Sequence, residues 1–161
     1  MDGVSLDPVG VERKPILWRL MQPYLHDLSE FDGSDVDEAG EYHYALFEHY
    51  WDVSLYPSEL RDAFFIRFEG KLAGFALVRH MNNGRNQLAE FCILRKYRRR
   101  GIGRTAAQAV LRRFPGPWDL TIHPKNTPAL AFWPKVIEGA ASGEWTESSG
   151  PIIVIHRFEI G

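Results

Sequence analysis

The sequence predicts a single α/β domain in which helices pack against one mixed, mostly antiparallel twisted sheet. Helical periodicity dominates the first third of the chain, strand-like runs with tight turns occupy residues 63–94, and a strand–helix–strand order follows. At 161 residues, of which 45% are apolar, the chain can bury one core and is too short for two ordinary ones. We therefore expect one domain over residues 1–161.

The helical part begins with apolar side chains at steps of three and four over residues 12–30. This spacing predicts an amphipathic helix with Pro23 in its interior. Residues 32–40, DGSDVDEAG, read as a polar loop. Tyr44 opens a second, shorter helical pattern that closes before Pro57. Two helices are thus expected before the first strand.

Three strands are predicted next. Residues 63–68 and 71–81 are rich in apolar and aromatic side chains and are separated by Glu69-Gly70, a tight-turn signal, so they should form a hairpin. Residues 87–94, QLAEFCIL, follow a second turn and should pair antiparallel with the strand before them.

A crossover helix then leads to a short strand at residues 118–123. Because a helix connects them, this strand should lie parallel to strand 87–94, with a right-handed crossover. Asn126, with a proline two residues later, is a capping signal for a last helix that fades near Glu138. Residues 151–160 read as a closing strand.

Composition excludes several classes of protein. The formal net charge of -2 argues against a protein that mainly coats nucleic acid. The N-terminal residues lack the apolar core of a signal peptide, and no window reaches the roughly 18 apolar residues of a membrane span. We therefore expect a cytoplasmic protein with no membrane partner. Cys92 is the single cysteine, and the six histidines show no close pair at ligand spacing, so neither a disulfide nor a metal is expected.

Charge is distributed unevenly along the chain. Residues 27–62 contain eleven Asp or Glu and one basic residue, Arg61, whereas residues 95–113 contain eight Lys or Arg and no acid. The simplest interpretation of either block is a solvated face. Two blocks of opposite charge in one small domain also suit ligand binding. The acidic block would attract a cationic ligand and the basic block an anionic one.

The basic block opens with residues 95–107, RKYRRRGIGRTAA, which invite comparison with three kinds of site. A dinucleotide site fits the G-x-G-x-x-A pattern, but six residues separate the strand from Gly101, and the next strand ends at His123 without a ribose-binding acid. A nucleotide P-loop fails because no lysine follows a G-x-x-x-x-G pair. Nucleic acid is disfavoured because interleaved aromatic residues are lacking and the acidic block would repel a polyanion.

A small diphosphate is the best fit to this segment. Gly101 and Gly103 remove the side chains that would keep a phosphate off the backbone, and the N–H groups of residues 99–105 are free donors at a helix N-terminus. Four arginines add positive charge near such a ligand, namely Arg98, Arg99, Arg100 and Arg104. The sequence therefore predicts a pyrophosphate cradle.

The cradle belongs to a longer pattern, in which Arg98-x-x-Gly101-x-Gly103 follows strand 87–94 and precedes a helix, a short strand and Asn126-x-x-Ala129-x-x-Phe132-Trp133. This pattern resembles the acyl-CoA-binding core of the GNAT superfamily of N-acetyltransferases. The resemblance implies a GNAT-like fold: six or seven strands flanked by about four helices, with splayed central parallel strands. It also implies acetyl-CoA as co-substrate and no metal, and it allows a homodimer.

The resemblance assigns roles to residues along the splayed strands. Glu90 stands where many family members carry a general base, and the backbone N–H of Ile93 would help to polarise the thioester carbonyl. The presence of Glu90 is explained equally well by an outward-facing position on the strand. In the same way, a role as helix cap explains Asn126. The residues expected to contact the co-substrate are Phe91, Ile93, Leu94, Arg98, Arg99, Arg100, Gly101, Ile102, Gly103, Arg104, Thr105, Asn126, Phe132 and Trp133.

Trp133 departs from the family pattern. Many relatives have a tyrosine near this position that is held to protonate the departing thiolate, and an indole cannot do so. Three outcomes stay open. Another tyrosine serves, such as Tyr97 or one of residues 42, 44, 50 and 56; or no acid is needed, because a thiol of pKa about 8.5 leaves readily; or the domain binds CoA without catalysis.

The acidic segment 27–62 and the hairpin should build the acceptor site. Carboxylates and aromatic rings suit the primary amine of a small cationic compound through charge and cation–π contact, although core aromatics and a solvated loop explain the same residues. The resemblance thus implies an N-acetyltransferase that transfers an acetyl group by direct attack of an amine on the thioester. The alternatives are a non-catalytic acyl-CoA sensor, a protein N-acetyltransferase and a nucleic-acid-binding module.

Overall fold

The computed structural model describes residues 1–161 and contains three α-helices and one seven-stranded sheet. In chain order the elements are β1 (Val4–Pro8), α1 (Lys14–Asp32), β2 (Leu60–Phe68), β3 (Lys71–His80), β4 (Asn86–Ile93), α2 (Ile102–Arg113), β5 (Gly116–Ile122), α3 (Thr127–Glu138), β6 (Thr146–Ser149) and β7 (Val154–Ile160). The predicted mixed α/β fold is therefore confirmed.

The sheet has the strand order β1-β2-β3-β4-β5-β7-β6 and is antiparallel at every pair except β4 and β5. This parallel pair, which the crossover helix predicted, is joined at two positions only: Asn86 with Trp118 and Gln87 with Asp119. Beyond Gln87 the two strands no longer pair, so they separate toward their carboxyl ends. The splay that the family resemblance implied is therefore present, and it leaves a gap in the middle of the sheet.

Helices cover both faces of the sheet, and a separate core lies under each. On one face α2 and α3 pack on a cluster of 22 buried residues, here called the α2/α3 core, to which Val110 belongs. On the other face α1 buries Leu17 and Met21 in a cluster of ten, here called the α1 core. Neighbouring side chains of β4 enter different cores, because alternate residues of a strand point to opposite faces. Ile93 lies in the α2/α3 core and Cys92 in the α1 core.

The β2–β3 hairpin turns at Glu69 and Gly70, which have positive φ angles of 49° and 78°. A type I′ hairpin turn requires two such left-handed residues, and glycine adopts this conformation without steric cost. The predicted hairpin is confirmed, with β2 beginning at Leu60, earlier than the sequence indicated.

The helix predicted between the polar loop and the hairpin is absent, which corrects the expected count of about four helices to three. The segment instead forms two 3-10 turns, Phe47–Tyr50 and Val53–Leu55. Aromatic residues, β-branched residues, Asp and Ser are weak helix formers. In addition, the carboxylate of Asp52 accepts a 3.0 Å hydrogen bond from the N–H of Ser54, which caps a new turn in place of a continuing helix.

The ends of the sheet carry the weakest sequence signals. β1 alternates apolar and polar residues over only five positions, and β6 has no apolar residue and is exposed along its whole length. Residue patterns alone therefore indicated five strands, whereas the resemblance implied six or seven, and seven are present. α1 begins and ends two residues later than predicted and stops at Gly33, which has a left-handed φ of 73°.

No helix in the structure combines the length and the apolar character needed to cross a membrane. Histidine, cysteine and acidic side chains form no cluster of three or more that could hold a metal ion. Cys92 is a free thiol and is buried.

Candidate active site

The splay between β4 and β5 opens a cavity of about 290 Å³. Its walls come from the two strands, from the C-terminal half of α1 on one face of the sheet and from the start of α3 on the other. Side chains of different chemistry meet in it, namely Tyr24, Asp32, Glu90, Phe91, His123 and Trp133. The cavity therefore connects the two faces of the sheet where the strands part.

A β-bulge in β4 directs the carboxylate of Glu90 toward α1. Glu90 lies opposite Leu77, and Leu88 lies opposite the next residue, Val78, so Ala89 is an extra residue without a partner. Leu88 faces the α2/α3 core and Glu90 faces α1, although residues two apart on a regular strand share a face. A bulge also bends its strand, and this one lies where the pairing with β5 stops.

Glu90 is a partly buried carboxyl group in a mostly apolar environment. Burial raises its pKa to about 7, and the negative charge of Asp32 at the cavity acts in the same direction. Hydrogen bonding by Tyr24 and Tyr44 lowers the pKa but does not offset the cost of burying the charge. A carboxyl group with a pKa near 7 can exchange a proton at neutral pH, as a general base or acid must.

Tyr24 donates its hydroxyl proton to Oε2 of Glu90 from the α1 side of the cavity. Its ring packs edge-on against Phe75, with the ring centroids 5.3 Å apart, which holds the hydroxyl in place. Burial and the Glu90 carboxylate raise the pKa of Tyr24 well above 10, so the phenol stays protonated. Nothing in the sequence singles out this residue, since it belongs to the apolar stripe of α1. The sequence contains one indication of its role. A tyrosine hydroxyl in an apolar helix stripe needs a hydrogen-bond partner when it is buried.

The loop between β4 and α2 presents a row of free backbone donors. None of the N–H groups of residues 99–104 donates a hydrogen bond to a backbone carbonyl. Arg99 and Gly101 have left-handed φ angles of 58° and 79°, a conformation that gathers successive N–H groups around one concave site. Gly103 lies so close to β4 that a Cβ there would be 3.3 Å from Cγ1 of Ile93. These free donors at the start of a helix suit a phosphate group.

The arginines of this loop differ in what they contact. Three of them contact the protein itself: Nε of Arg98 donates to the Ile93 carbonyl at 2.7 Å, the guanidinium of Arg100 lies 5.1 Å from the Phe68 ring centre, and Arg104 donates to the Lys135 carbonyl at 3.4 Å. Arg98 also lies 3.9 Å from the carboxylate of Asp27 on α1. Arg99 makes no hydrogen bond or ion pair with the protein, so its guanidinium is the most available to a ligand.

The family of the chain follows from comparison with known proteins. Residues 23–137 match the family model described as the acetyltransferase (GNAT) family. The protein belongs to the GNAT acetyltransferase family. No curated protein sequence matches the chain.

Solved structures share the GNAT fold over the whole chain. An acetyltransferase from Thermus thermophilus is 17% identical with a TM-score of 0.66, over 98% of this chain and 97% of that one. The aminoglycoside acetyltransferase AAC(6')-Ib in complex with coenzyme A is 12% identical with a TM-score of 0.67, over 98% and 94%. A GNAT acetyltransferase from Elizabethkingia anophelis with acetyl-CoA bound is 12% identical with a TM-score of 0.57, over 99% and 100%. At these identities the similarity shows the fold.

As a GNAT acetyltransferase, the protein uses acetyl-CoA as its co-substrate, and the free edge of β4 fits its pantetheine arm. The N–H of Leu94 donates to the Ala73 carbonyl at 2.8 Å. By the alternation of an antiparallel pair, Ile93 and Phe91 then turn their N–H and C=O groups away from β3, toward the gap. The Ile93 carbonyl accepts the bond from Arg98. The N–H of Ile93 and both peptide groups of Phe91 have no strand partner there.

Aromatic side chains form the α3 side of the GNAT cleft. The ring of Phe91 lies 6.2 Å from that of Phe132 and 5.2 Å from that of Trp133, and only Trp133 of these two α3 residues lines the cavity. Asn126 accepts a 3.2 Å hydrogen bond from the N–H of Ala129, so it caps α3, and it also lines the cavity. Its position therefore suits both roles that the sequence left open.

Three further residues that the sequence predicted as co-substrate contacts have fewer free groups. The side chain of Ile102 is fully buried in the α2/α3 core, which leaves its backbone N–H. The N–H of Thr105 donates to the Gly101 carbonyl at 3.1 Å, and that of Leu94 is bonded to β3. The Leu94 carbonyl accepts a 2.9 Å hydrogen bond from the N–H of Tyr97, and the Thr105 carbonyl lies within α2, so these two residues offer their side chains.

The sequence offered five tyrosines that could protonate the thiolate in place of a tyrosine at position 133. None of them lines this cavity: Tyr42, Tyr44, Tyr50, Tyr56 and Tyr97. Tyr97 is buried in the α2/α3 core. Tyr44 influences the pKa of Glu90 but lines a separate cavity beside the first half of α1. Tyr24, which the sequence did not point to, is the tyrosine that lines the site.

Proposed function

We propose that the protein transfers the acetyl group of acetyl-CoA to the primary amine of a small cationic acceptor by direct attack on the thioester, with Glu90 as general base. The observation that carries this proposal is the Glu90 carboxylate in the cavity between β4 and β5, with its pKa raised to about 7. An ammonium ion must lose a proton before its nitrogen can attack. A carboxylate of this pKa is suited to take that proton at neutral pH.

The backbone of β4 supports the same chemistry. The N–H of Ile93 faces the gap without a strand partner, three residues beyond Glu90 on the same strand. A fixed N–H of this kind can stabilise the negative charge that develops on the thioester oxygen as the amine attacks. Because both groups belong to one strand, the sheet itself sets the distance between base and oxyanion donor.

The free donors of residues 99–104 would hold the diphosphate of the co-substrate. Their N–H groups are unpaired, and Arg99 adds a guanidinium that no protein group occupies. Gly103 allows α2 to begin close against β4, since a Cβ there would be only 3.3 Å from Cγ1 of Ile93. In this proposal the phosphates lie at the C-terminal end of β4, three or more residues beyond the carboxylate of Glu90.

Charge and size support a small cationic acceptor. Glu90 and Asp32 line the cavity, and no Lys or Arg does. The surrounding segment, residues 27–62, adds eleven acids against a single arginine. A negative potential at the mouth attracts a cation, and at about 290 Å³ the cavity lies at the small end of ligand sites. The stacked rings of Phe31 and His123, 5.9 Å apart, line the cavity, and Phe31 offers an aromatic ring for cation–π contact.

The experiment that tests this function is thiol release from acetyl-CoA across a panel of amines. The panel contains polyamines, aminoglycosides, amino acids and lysine-containing peptides. We expect turnover with small cationic amines, and a loss of about 100-fold or more in kcat for Glu90→Gln with unchanged CoA affinity. Glu144→Gln, at an exposed carboxylate outside the cavity, is the matched control and should behave as the wild type.

Two results would redirect the proposal. Tight CoA binding without turnover for any amine would support the non-catalytic sensor. A strong preference for peptide lysines over all small amines would support a protein N-acetyltransferase.

A further inference from the structure

We propose that Tyr24 carries a proton from Glu90 to the departing sulfur, so that a single carboxyl group serves both proton transfers of the reaction. This inference rests on the proposed function and adds a second catalytic residue, from α1, to the one on β4. It also removes the need for a separate acid at the position that Trp133 occupies.

The geometry brings the two groups together inside one small cavity. The Tyr24 hydroxyl is hydrogen-bonded to Oε2 of Glu90, and both residues line the space between the strands. Phe75 packs against the edge of the Tyr24 ring and holds it in this direction. Thr121 carries the one other hydroxyl among the lining side chains, and it is not bonded to a carboxyl group that could renew its proton.

Chemistry decides how Tyr24 can act. With its pKa well above 10, a lone phenol would give its proton uphill to a thiolate whose conjugate acid has a pKa of about 8.5. After the base step, however, Glu90 is a neutral acid with a pKa of about 7. Passing the Glu90 proton through the Tyr24 hydroxyl to sulfur is therefore downhill, and no phenolate has to accumulate. Together, the Glu90 carboxyl group and the Tyr24 phenol can deliver a proton to the sulfur, which the phenol alone would do only uphill.

The proposed sequence of transfers balances. Glu90 takes one proton from the ammonium group of the acceptor, and the freed nitrogen pair forms the new C–N bond at the thioester carbon. As the C–S bond breaks, its electron pair goes to sulfur; the Tyr24 hydroxyl gives its proton to that sulfur, and Glu90 gives its own to the Tyr24 oxygen. The second proton of the attacking nitrogen goes to solvent. Glu90 ends as the carboxylate and Tyr24 as the phenol, ready for another turnover.

Tyr24→Phe separates this role from mere positioning of Glu90. The Tyr24 hydrogen bond lowers the pKa of Glu90, so its loss moves the rise of kcat with pH to higher pH in either case. If Tyr24 only positions the base, kcat recovers fully about two pH units above the new pKa. If it carries the proton, the high-pH plateau stays at least about tenfold below that of the wild type. Tyr97→Phe, which removes a hydroxyl outside the cavity, should match the wild type.

A second measurement needs no turnover. In the complex of the protein with CoA, the ultraviolet absorbance of the thiolate reports the pKa of the bound thiol. A Tyr24 hydroxyl that reaches the sulfur stabilises the thiolate, so Tyr24→Phe should raise that pKa by about one unit. An unchanged thiol pKa, or a fully recovered kcat plateau, would overturn the proposal.

Failure of the variant to fold does not block the test. 3-Fluorotyrosine at position 24 keeps the size of the ring and makes the hydroxyl a stronger donor, so it should lower the pKa of bound CoA thiol; no change would again overturn the inference. If no amine is acetylated by the wild type, the proposed function fails, while the thiol titration still reports on Tyr24 by itself.

Discussion

Nε of Arg98 donates a 2.7 Å hydrogen bond to the carbonyl oxygen of Ile93, which ties the phosphate-facing loop to the end of β4. Arg98, the first of three consecutive arginines, thus serves the protein itself. Arg99, one residue later, makes no hydrogen bond or ion pair with the protein. Two adjacent arginines with the same charge therefore have separable tasks.

Because of this difference, we expect one alanine substitution to affect stability and the other to affect CoA binding. Arg98→Ala should lower the free energy of unfolding by about 1 kcal/mol, the value of a half-exposed charged hydrogen bond. Arg99→Ala should leave unfolding unchanged and weaken CoA binding about three- to tenfold. Urea unfolding and calorimetric titration with CoA measure the two quantities. Equal losses of CoA affinity with no change in stability would show that both arginines serve the ligand.

The glycine loop predicts a second contrast. Gly101→Asp places a carboxylate among the free N–H groups and should abolish CoA binding by competing with the phosphate. Gly84→Asp is the matched control, because Gly84 has nearly the same left-handed φ, 81° against 79°, with open space around it. Both variants should lose about 1 kcal/mol of stability through backbone strain. CoA titration of Gly84→Asp should give wild-type affinity, and a comparable loss in both would attribute the effect to strain alone.

Glu90 predicts a trade between stability and activity. Its pKa is raised from 4.5 to about 7, so the folded protein binds more protons than the unfolded chain between these values. Stability due to this group therefore falls as pH rises from about 4.5 to 7 and stays low above that range. Glu90→Gln should be more stable than the wild type by roughly 3 kcal/mol at pH 8 and should show almost no gain at pH 4. Denaturant unfolding at both pH values measures the difference, and a uniform gain would rule out the raised pKa as its cause.

We expect the stability of the protein to depend on pH through His80 as well, because its environment favours the protonated ring. Its Nε2 lies 2.7 Å from the Asp62 carboxylate and its Nδ1 lies 2.7 Å from Oδ1 of Asn86, whose Nδ2 donates to the Phe114 carbonyl. Both ring nitrogens thus face acceptors, and the hydrogen bond with Asp62 raises the pKa of His80. The resulting stability is complete below the unfolded value of about 6.5 and is lost as pH rises through the folded pKa.

The matched substitutions are His80→Gln and, at an exposed histidine, His43→Gln. His80→Gln should cost on the order of 1 kcal/mol under mildly acidic conditions and less under alkaline ones. His43→Gln should cost nothing at any pH. A constant cost for His80→Gln across the range would mean that the ring is neutral and acts by packing on Phe114.

The parts of the site that the sequence revealed are those encoded in short stretches of chain. The glycines of the loop, the cap at Asn126 and the parallel strand pair each follow from local spacing or from the order of neighbouring elements. Tyr24 and Glu90 meet across 66 positions, and no local pattern links a tyrosine in a helical stripe to a glutamate in a strand. The aromatic spacing around Phe47 looked helical, yet 3-10 turns satisfy it equally well, because rings three or four residues apart can pack without a continuous helix.

Ala89 shows how much of this site depends on the length of one strand. Deleting it would keep the side chains on either side facing their present cores, because Leu88 and Glu90 would then alternate as neighbours do in a regular strand. The strand would lose the bend that accompanies the extra residue, and with it the reason for β4 to turn away from β5. We expect such a protein to retain every functional side chain but to have a narrower gap between β4 and β5. The width of the binding gap therefore depends on the number of residues in β4. A substitution changes a side chain but leaves that number the same.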